Sequence, residues 1–412
     1  MRFRTMVAAL AASAVLPVTG AHAVDLEVTH WWTSGGEAAA VAEFAKAFNE
    51  KTEHNWIDGA IAGGGGTARP VMISRITGGD PMGATQFNHG RQAEELIEAG
   101  LFLDLTDLAE EENWKEIVNP PSLLDSCTLD GRIYCVPVNI HSPQWLWLSH
   151  KAFEDAGVPV PTNWDEFVAA APALEKAGKT PLALGNQPWQ SNLLFGAVQI
   201  AIGGLDMWKQ INLQKDVEAA RGPEMAKVFQ AMADAREMAK NSTVQDWNQA
   251  TNMVITAEAG GQIMGDWAQG EFQVANQKAG EDYSCLPGLG VHKYISTGGD
   301  AFYFPKIDDP EVTKAQKELA SLMLSKEVQV AFNLKKGSLP VRGDVDLAAA
   351  NDCMKQGLEI LKDGNMLPSG DQVFSADTQT QFNDLMVEFM KDPNISAEDA
   401  QKRYADIVEN AD

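Results

Sequence analysis

From Asp25 onward, short β-type runs alternate with helical ones, and this alternation limits the fold more than any other feature of the 412 residues. Leu26, Val28 and His30 alternate with Glu27 and Thr29, which is the period of a strand. Residues 37–49 then carry apolar side chains at helical spacing. The pair recurs, with residues 55–62 and 84–88 reading as strands and 68–76 and 92–99 as helices. Such a series predicts an α/β fold, a sheet covered by helices.

Residues 133–148 change character. An extended run through Val136, Val138 and Ile140 ends in an aromatic patch at Trp145 and Trp147, and it reads as a crossing between two lobes. Beyond it, Thr162 or Asn163 can cap a helix whose first turn holds Asp165 and Glu166 and which runs to about residue 176. Residues 181–185 and 261–264 read as short buried strands, 189–202 as a helix and 218–240 as one long polar helix. Tyr303-Phe304-Pro305 reads as a strand, 310–324 as a helix and the last ~70 residues as largely helical. At roughly 100–200 residues per domain, the length calls for two domains.

The first residues place Arg2 and Arg4 before an apolar run at residues 6–18 and end in Ala21-His22-Ala23. Basic, apolar and A-x-A segments in that order make a secretory signal peptide, with cleavage expected after Ala23. The run is too short for a membrane anchor, and later ones such as residues 193–205 are broken by Gly or polar residues. No cysteine stands near the cleavage point to accept a lipid. The formal net charge of −25 becomes −27 once Arg2 and Arg4 leave, and such a surface repels nucleic acid and anionic lipid.

Four cysteines, Cys127, Cys135, Cys285 and Cys353, allow three pairings. Asp130-Gly131 between two short β-type runs is a strong hairpin signal that favours Cys127 with Cys135. Unpaired buried thiols are the alternative. No C-x-x-C accompanies them, and the seven histidines include no pair at i, i+4, so a metal site is not expected. No G-x-S-x-G elbow is present. The glycine run at residues 63–66 lacks the Lys-Ser/Thr ending of a phosphate loop and reads as a flexible βα connection near a cleft.

Eleven tryptophans against five tyrosines leave a different signal. Trp31 and Trp32 are neighbours on a strand and must point to opposite faces, so one can pack in the core while the other emerges at the strand end. Strand ends are where α/β sheets bind ligands. Sugars present flat C–H faces and a rim of hydroxyls, which suits aromatic planes edged by carboxylates, amides and Lys. Gly265-Asp266-Trp267 and Asp300 supply that mixture again.

Several segments resemble, in order, the extracellular solute-binding proteins of ABC transporters, within the sugar-binding group and its glucose/mannose-type receptors. They are His30-Trp31-Trp32-Thr33-Ser34-Gly35-Gly36-Glu37, Gly78-Gly79-Asp80-Pro81, Cys135-Val136-Pro137-Val138-Asn139-Ile140-His141, Pro161 through Phe167, Met264-Gly265-Asp266-Trp267 and Lys336-Gly337-Ser338. The resemblance spans nearly the whole mature chain. It implies a two-lobe periplasmic-binding-protein fold with a ligand cleft and a hinge near residues 139–148. Residues 24–140 with about 290–336 would form the N-terminal lobe, and about 141–289 with 337–412 the C-terminal lobe.

By the same carry-over, Trp31, Trp32, Glu37, Gln86 and Asn88 would line the N-terminal lobe, and Trp247 and Trp267 would offer aromatic faces from the other. Asp300 would accept from adjacent hydroxyls and Lys336 would donate. Asn88 stands where relatives often carry Lys or His, and no histidine follows His292, whereas glucose-type receptors have one near the C-terminus. The implied function is that of a monomeric periplasmic receptor with no cofactor, no metal and no catalysis. It would bind a monosaccharide, a glucose-like hexose first, and deliver it to membrane permease subunits. A receptor for an oligosaccharide or other neutral polyol is the rival in the same class. An exported glycoside hydrolase using Glu37, Asp266 and Asp300 is the rival in another.

Overall fold

Strand β1 (Asp25–His30) stands near the start of the described chain, which in this computed structural model runs from residue 23 to residue 411. The leader expected over residues 1–23 lies outside the described residues, apart from Ala23. Leu26 and Val28 are buried while Asp25 is exposed, as the alternation requires. α1 (Gly35–Lys51), β2 (Asn55–Ala60), α2 (Gly64–Thr77) and β3 (Ala84–Asn88) follow. β1 pairs in parallel with both β2 and β3, the arrangement that intervening helices make possible.

The chain adds β4 (Cys135–Pro137) to this sheet and then crosses to a second one through β5 (Trp145–Ser149). α3 (Trp164–Lys176), β6 (Thr180–Ala183), α4 (Pro188–Gln214), α5 (Pro223–Ala239), α6 (Trp247–Ile255), β7 (Ala259–Met264), α7 (Ala268–Val274) and β8 (Tyr283–Pro287) build it. The chain then returns, and β9 (Asp300–Tyr303) inserts antiparallel between β3 and β4. The sheet orders are β2-β1-β3-β9-β4 and β8-β5-β7-β6.

α8 (Pro310–Met323) and α9 (Lys326–Lys336) pack on α1 beside the first sheet. α10 (Ala376–Lys391) and α11 (Ala397–Asn410) pack on α4 and α5 beside the second. Two aromatic cores result. Trp32, Phe44, Phe302 and Phe332 centre one, and Phe195, Phe229, Phe389 and Tyr404 centre the other. Residues 138–144 thread between them. No helix among the described residues is long and apolar enough to cross a membrane.

Glycine and proline account for most differences from the sequence reading. The helix expected at 189–202 runs on to Gln214 with a break at Gly204, whose φ is 82°. The single helix expected over 218–240 is two, Val217–Arg221 and α5, divided at extended Gly222 ahead of Pro223. The glycine run expected as a loop is a corner instead: Gly63, at φ 100°, ends the connection and Gly64 to Gly66 form the first turn of α2. Asn163 caps α3 as expected, its side chain accepting from the Glu166 N–H at 3.0 Å.

Both pairs of cysteines are joined, Cys127 to Cys135 and Cys285 to Cys353. Around the first, Leu129 pairs with Arg132 across Asp130 (φ 49°) and Gly131 (φ 76°). Two positive φ values in a two-residue loop are what a type I′ hairpin needs. The second bridge ties β8 to the helix Asp352–Lys362.

Candidate functional site

Where β1 and β3 end and β9 begins, the first sheet presents a row of polar side chains. Asn88 pairs with Asp300 and Gln86 with Phe302 in the β3–β9 register, so Gln86 and Asn88 share a face two residues apart. The Gln86 amide donates to Asp300 Oδ1 at 2.6 Å, and its carbonyl oxygen accepts from the Trp31 backbone N–H at 2.9 Å. Asn139 donates to Asp300 Oδ2 at 2.8 Å and accepts from the Asp300 N–H at 2.8 Å. Trp31 is half-buried; Gln86, Asn139 and Asp300 are buried.

His141, on the crossing segment, joins this row to the second sheet. Its Nε2 lies 2.5 Å from Asp300 Oδ2 and its Nδ1 2.9 Å from Asp266 Oδ1. Asp266, just past the end of β7, also accepts from the Ser142 N–H at 3.0 Å. Burial disfavours the imidazolium, but Asp300 and then Asp266 outweigh it and hold the His141 pKa at about 9. Burial likewise opposes the Asp300 charge, and His141 with Lys336 and Asn139 overcomes it, so that carboxyl titrates below its usual range. For Asp266 burial wins and the carboxyl is pushed up.

Aromatic rings wall this polar row. Trp267 stands edge-on to His141 at 4.8 Å, with Trp189 at 6.3 Å and Trp247 at 6.4 Å. Trp267 and Trp189 are half-buried, so each keeps surface open to solvent, whereas Trp247 is buried and backs the Trp267 ring. Gly265 permits this placement: a Cβ there would lie 2.0 Å from the Trp267 ring.

The other expected residues sit differently. Trp32, named as lining the cleft, is 1% exposed and packs against Phe44, Phe302 and Phe332, so it has no face left for a ligand. Glu37 and Lys336 meet each other at 2.6 Å as a buried ion pair, with Ser34 donating to the other Glu37 oxygen at 3.2 Å. Lys336 is thus held by Glu37, and its charge reaches Asp300 and Asp266 through space. Asn88 donates to Asp371 Oδ2 at 2.7 Å, and Gln92 donates to Asp371 Oδ1 at 2.9 Å.

Sequence reasoning missed His141, Asn139, Trp189 and Asp371 as members of the site. The spacing of the histidines carries no signal for a carboxylate-bridging role, and among the described residues no group of His, Cys, Asp and Glu is arranged to hold a metal ion. His141 and Asn139 stood inside a segment already singled out, but nothing local pointed to Asp266 or Asp300 as their partners.

The model of the bacterial extracellular solute-binding protein family matches residues 32–330. A probable sugar-binding periplasmic protein of Brucella melitensis biotype 1 is 39% identical over 343 residues, covering 83% of this chain and 80% of the relative. A protein of the same description from Rhizobium meliloti is 38% identical over 364 residues, covering 88% and 86%. Among solved structures, a chitin oligosaccharide binding protein superposes with a TM-score of 0.77 at 18% identity, over 94% of this chain and 99% of that one. An ABC transporter solute-binding protein from Thermotoga lettingae bound with α-D-tagatose gives 0.75 at 18% identity, over 94% and 99%. At such identities the superpositions speak for the fold alone.

Proposed function

This chain belongs to the bacterial extracellular solute-binding proteins, and from that premise we propose that it is the periplasmic sugar receptor of an ABC importer, with a glucose-like hexose as its first candidate ligand. The observation that carries the reading is the meeting of the Trp267 ring with the Gln86, Asn139, His141 and Asp300 network, which also holds the Trp31 backbone, where the chain crosses between sheets. Indole faces suit the C–H faces of a pyranose, and the buried carboxylate suits its hydroxyls.

The lobes of this receptor would be residues 24–140 with about 290–336, and about 141–289 with 337–412. Ligand contacts on both would favour the closed form over the open one, a population shift that membrane permease subunits read. The receptor acts as a monomer and without a cofactor. A thermal-shift screen over mono- and disaccharides tests the reading, since a ligand bound only by the native state raises the melting temperature. A rise with D-glucose or a related hexose is expected. No rise with any sugar, or release of phenol from aryl glycosides, would contradict it.

A further inference from the structure

Seven of the eight arginines among the described residues are held by protein oxygens. Arg75, Arg91, Arg132, Arg221, Arg342 and Arg403 each lie within 4.0 Å of a carboxylate. Arg236 donates to the carbonyls of Phe389, Asp392 and Ile395. Arg69 differs. Its Nε donates to the Gly65 carbonyl of its own helix at 3.1 Å, and among the described residues no carboxylate lies within ion-pair distance of it. Among the described residues its two terminal nitrogens have no protein partner, and the side chain is half-buried. With 57 carboxylates for 32 lysines and arginines, partners are not scarce in this chain.

Its position gives the vacancy of partners a meaning. A Cβ on Gly65 would lie 3.5 Å from the Trp31 ring and 3.7 Å from Arg69 Nε, so indole and guanidinium adjoin the same glycine. The Trp31 backbone N–H is tied through Gln86 to Asp300, which sets the ring on the neighbouring end of the strand. The cleft thus runs from hydroxyl acceptors at Asp300 and Asp266, past an aromatic plane, to a cation. Asp371 acts on Arg69 through space without an ion pair, its oxygens accepting from Asn88 and Gln92. Burial lowers the Arg69 pKa, though a guanidinium stays protonated regardless.

We propose that Arg69 forms an anion-recognising subsite at the rim of this cleft, and that the preferred ligand is a saccharide bearing a carboxylate, a hexuronate or a short saccharide ending in one. This rests on the sugar-receptor reading above. The ionised Asp300 can only accept hydrogen bonds, so it suits a hydroxyl and not a second carboxylate, and an acidic sugar has one favourable orientation, with hydroxyls on Asp300 and the acid on the free edge of the guanidinium. A planar fork of two N–H donors matches a carboxylate in a bidentate manner. A sugar phosphate would bring nearly two charges to a single arginine with Asp371 close by, which favours the carboxylate.

Titration calorimetry decides it, using D-glucose against D-glucuronate, D-galactose against D-galacturonate, and glucose 6-phosphate. In the natural protein each acid should bind about tenfold or more tighter than its neutral partner, the scale of one charge-assisted contact. That ratio should shrink with added salt, fall to near one in Arg69→Gln and survive in part in Arg69→Lys. Equal or tighter binding of the neutral sugars, an unchanged ratio in Arg69→Gln, or tighter binding of glucose 6-phosphate than of glucuronate would overturn the subsite and leave the receptor reading standing. No heat from any of the five, with no sugar in the thermal screen, would sink the receptor reading and this subsite with it. Should Arg69→Gln fail to fold, the ratio in the natural protein and in Arg69→Lys still decides.

Discussion

His141 Nδ1 lies 2.9 Å from Asp266 Oδ1 and so fastens the segment leaving the first sheet to the strand end of the second. Because its other nitrogen faces Asp300, one imidazolium is shared by two buried carboxylates supplied by different sheets. The position of this charge, between the sheets rather than within either, makes it a structural joint.

The joint has a pH signature. His141 titrates at about 9 rather than near 6.5, so its contribution to stability is complete below 6.5 and is lost as pH rises through 9. Asp300 is shifted down, so its contribution is present above its usual 3.8 and is lost only in stronger acid. Urea midpoints should therefore decline between pH 6.5 and 9. In His141→Ala that decline should be absent, and at pH 7 the variant should be about 3 kcal/mol less stable, since two buried carboxylates lose their counter-charge. Matching pH profiles for the two proteins would contradict the assignment.

Trp31 and Trp32 should separate binding from stability. Trp32→Ala empties a cavity among Phe44, Phe302 and Phe332 and should cost about 3–5 kcal/mol in a denaturant melt. Trp31→Ala, at a half-buried position, should change the melt far less while weakening sugar binding. Equal effects on both measurements would show that the two rings are not divided between core and cleft.

Gly265→Ala should act on the ligand through a ring it does not itself replace. Its new methyl group would overlap the Trp267 indole, with 2.0 Å between them, and the ring must rotate away. Intrinsic fluorescence of Trp267 should shift and hexose affinity should fall at least tenfold, about 1.4 kcal/mol. An unaltered affinity would mean that this ring does not touch the sugar.

The two disulfides should differ in weight. Cys285 and Cys353 are 68 residues apart and Cys127 and Cys135 only 8, so chain-entropy arguments give about 4 and about 2.5 kcal/mol respectively. Replacing Cys285 and Cys353 together by Ala should lower the urea midpoint more than replacing Cys127 and Cys135. The reverse order would point to native-state packing as the larger influence.

The β1-α1-β2-α2-β3 series was legible because each element carries its own period and closes over neighbours in sequence. A strand near Tyr303 was legible too, but not its place between β3 and β4, which depends on partners far away in the chain. The same limit governs the site. Asp300, Trp267 and Gln86 could be named from their residue types and surroundings, but the use of Lys336 by Glu37 could not, since it arises only when α9 packs on α1. That Trp32 rather than Trp31 turns inward follows from Phe44 and Phe332, which two helices bring to one side of β1. Asp371 had no local signature, and its role appears only when the C-terminal segment reaches Asn88.

Calorimetric titration of the natural protein and of Trp267→Ala with D-glucose and D-glucuronate, side by side, bears most directly on the sugar-cleft account. A saturable isotherm for the natural protein with at least one of the two, and nearly none for Trp267→Ala at an unchanged melting temperature, is the expected result. Superimposable isotherms from the two proteins would contradict it.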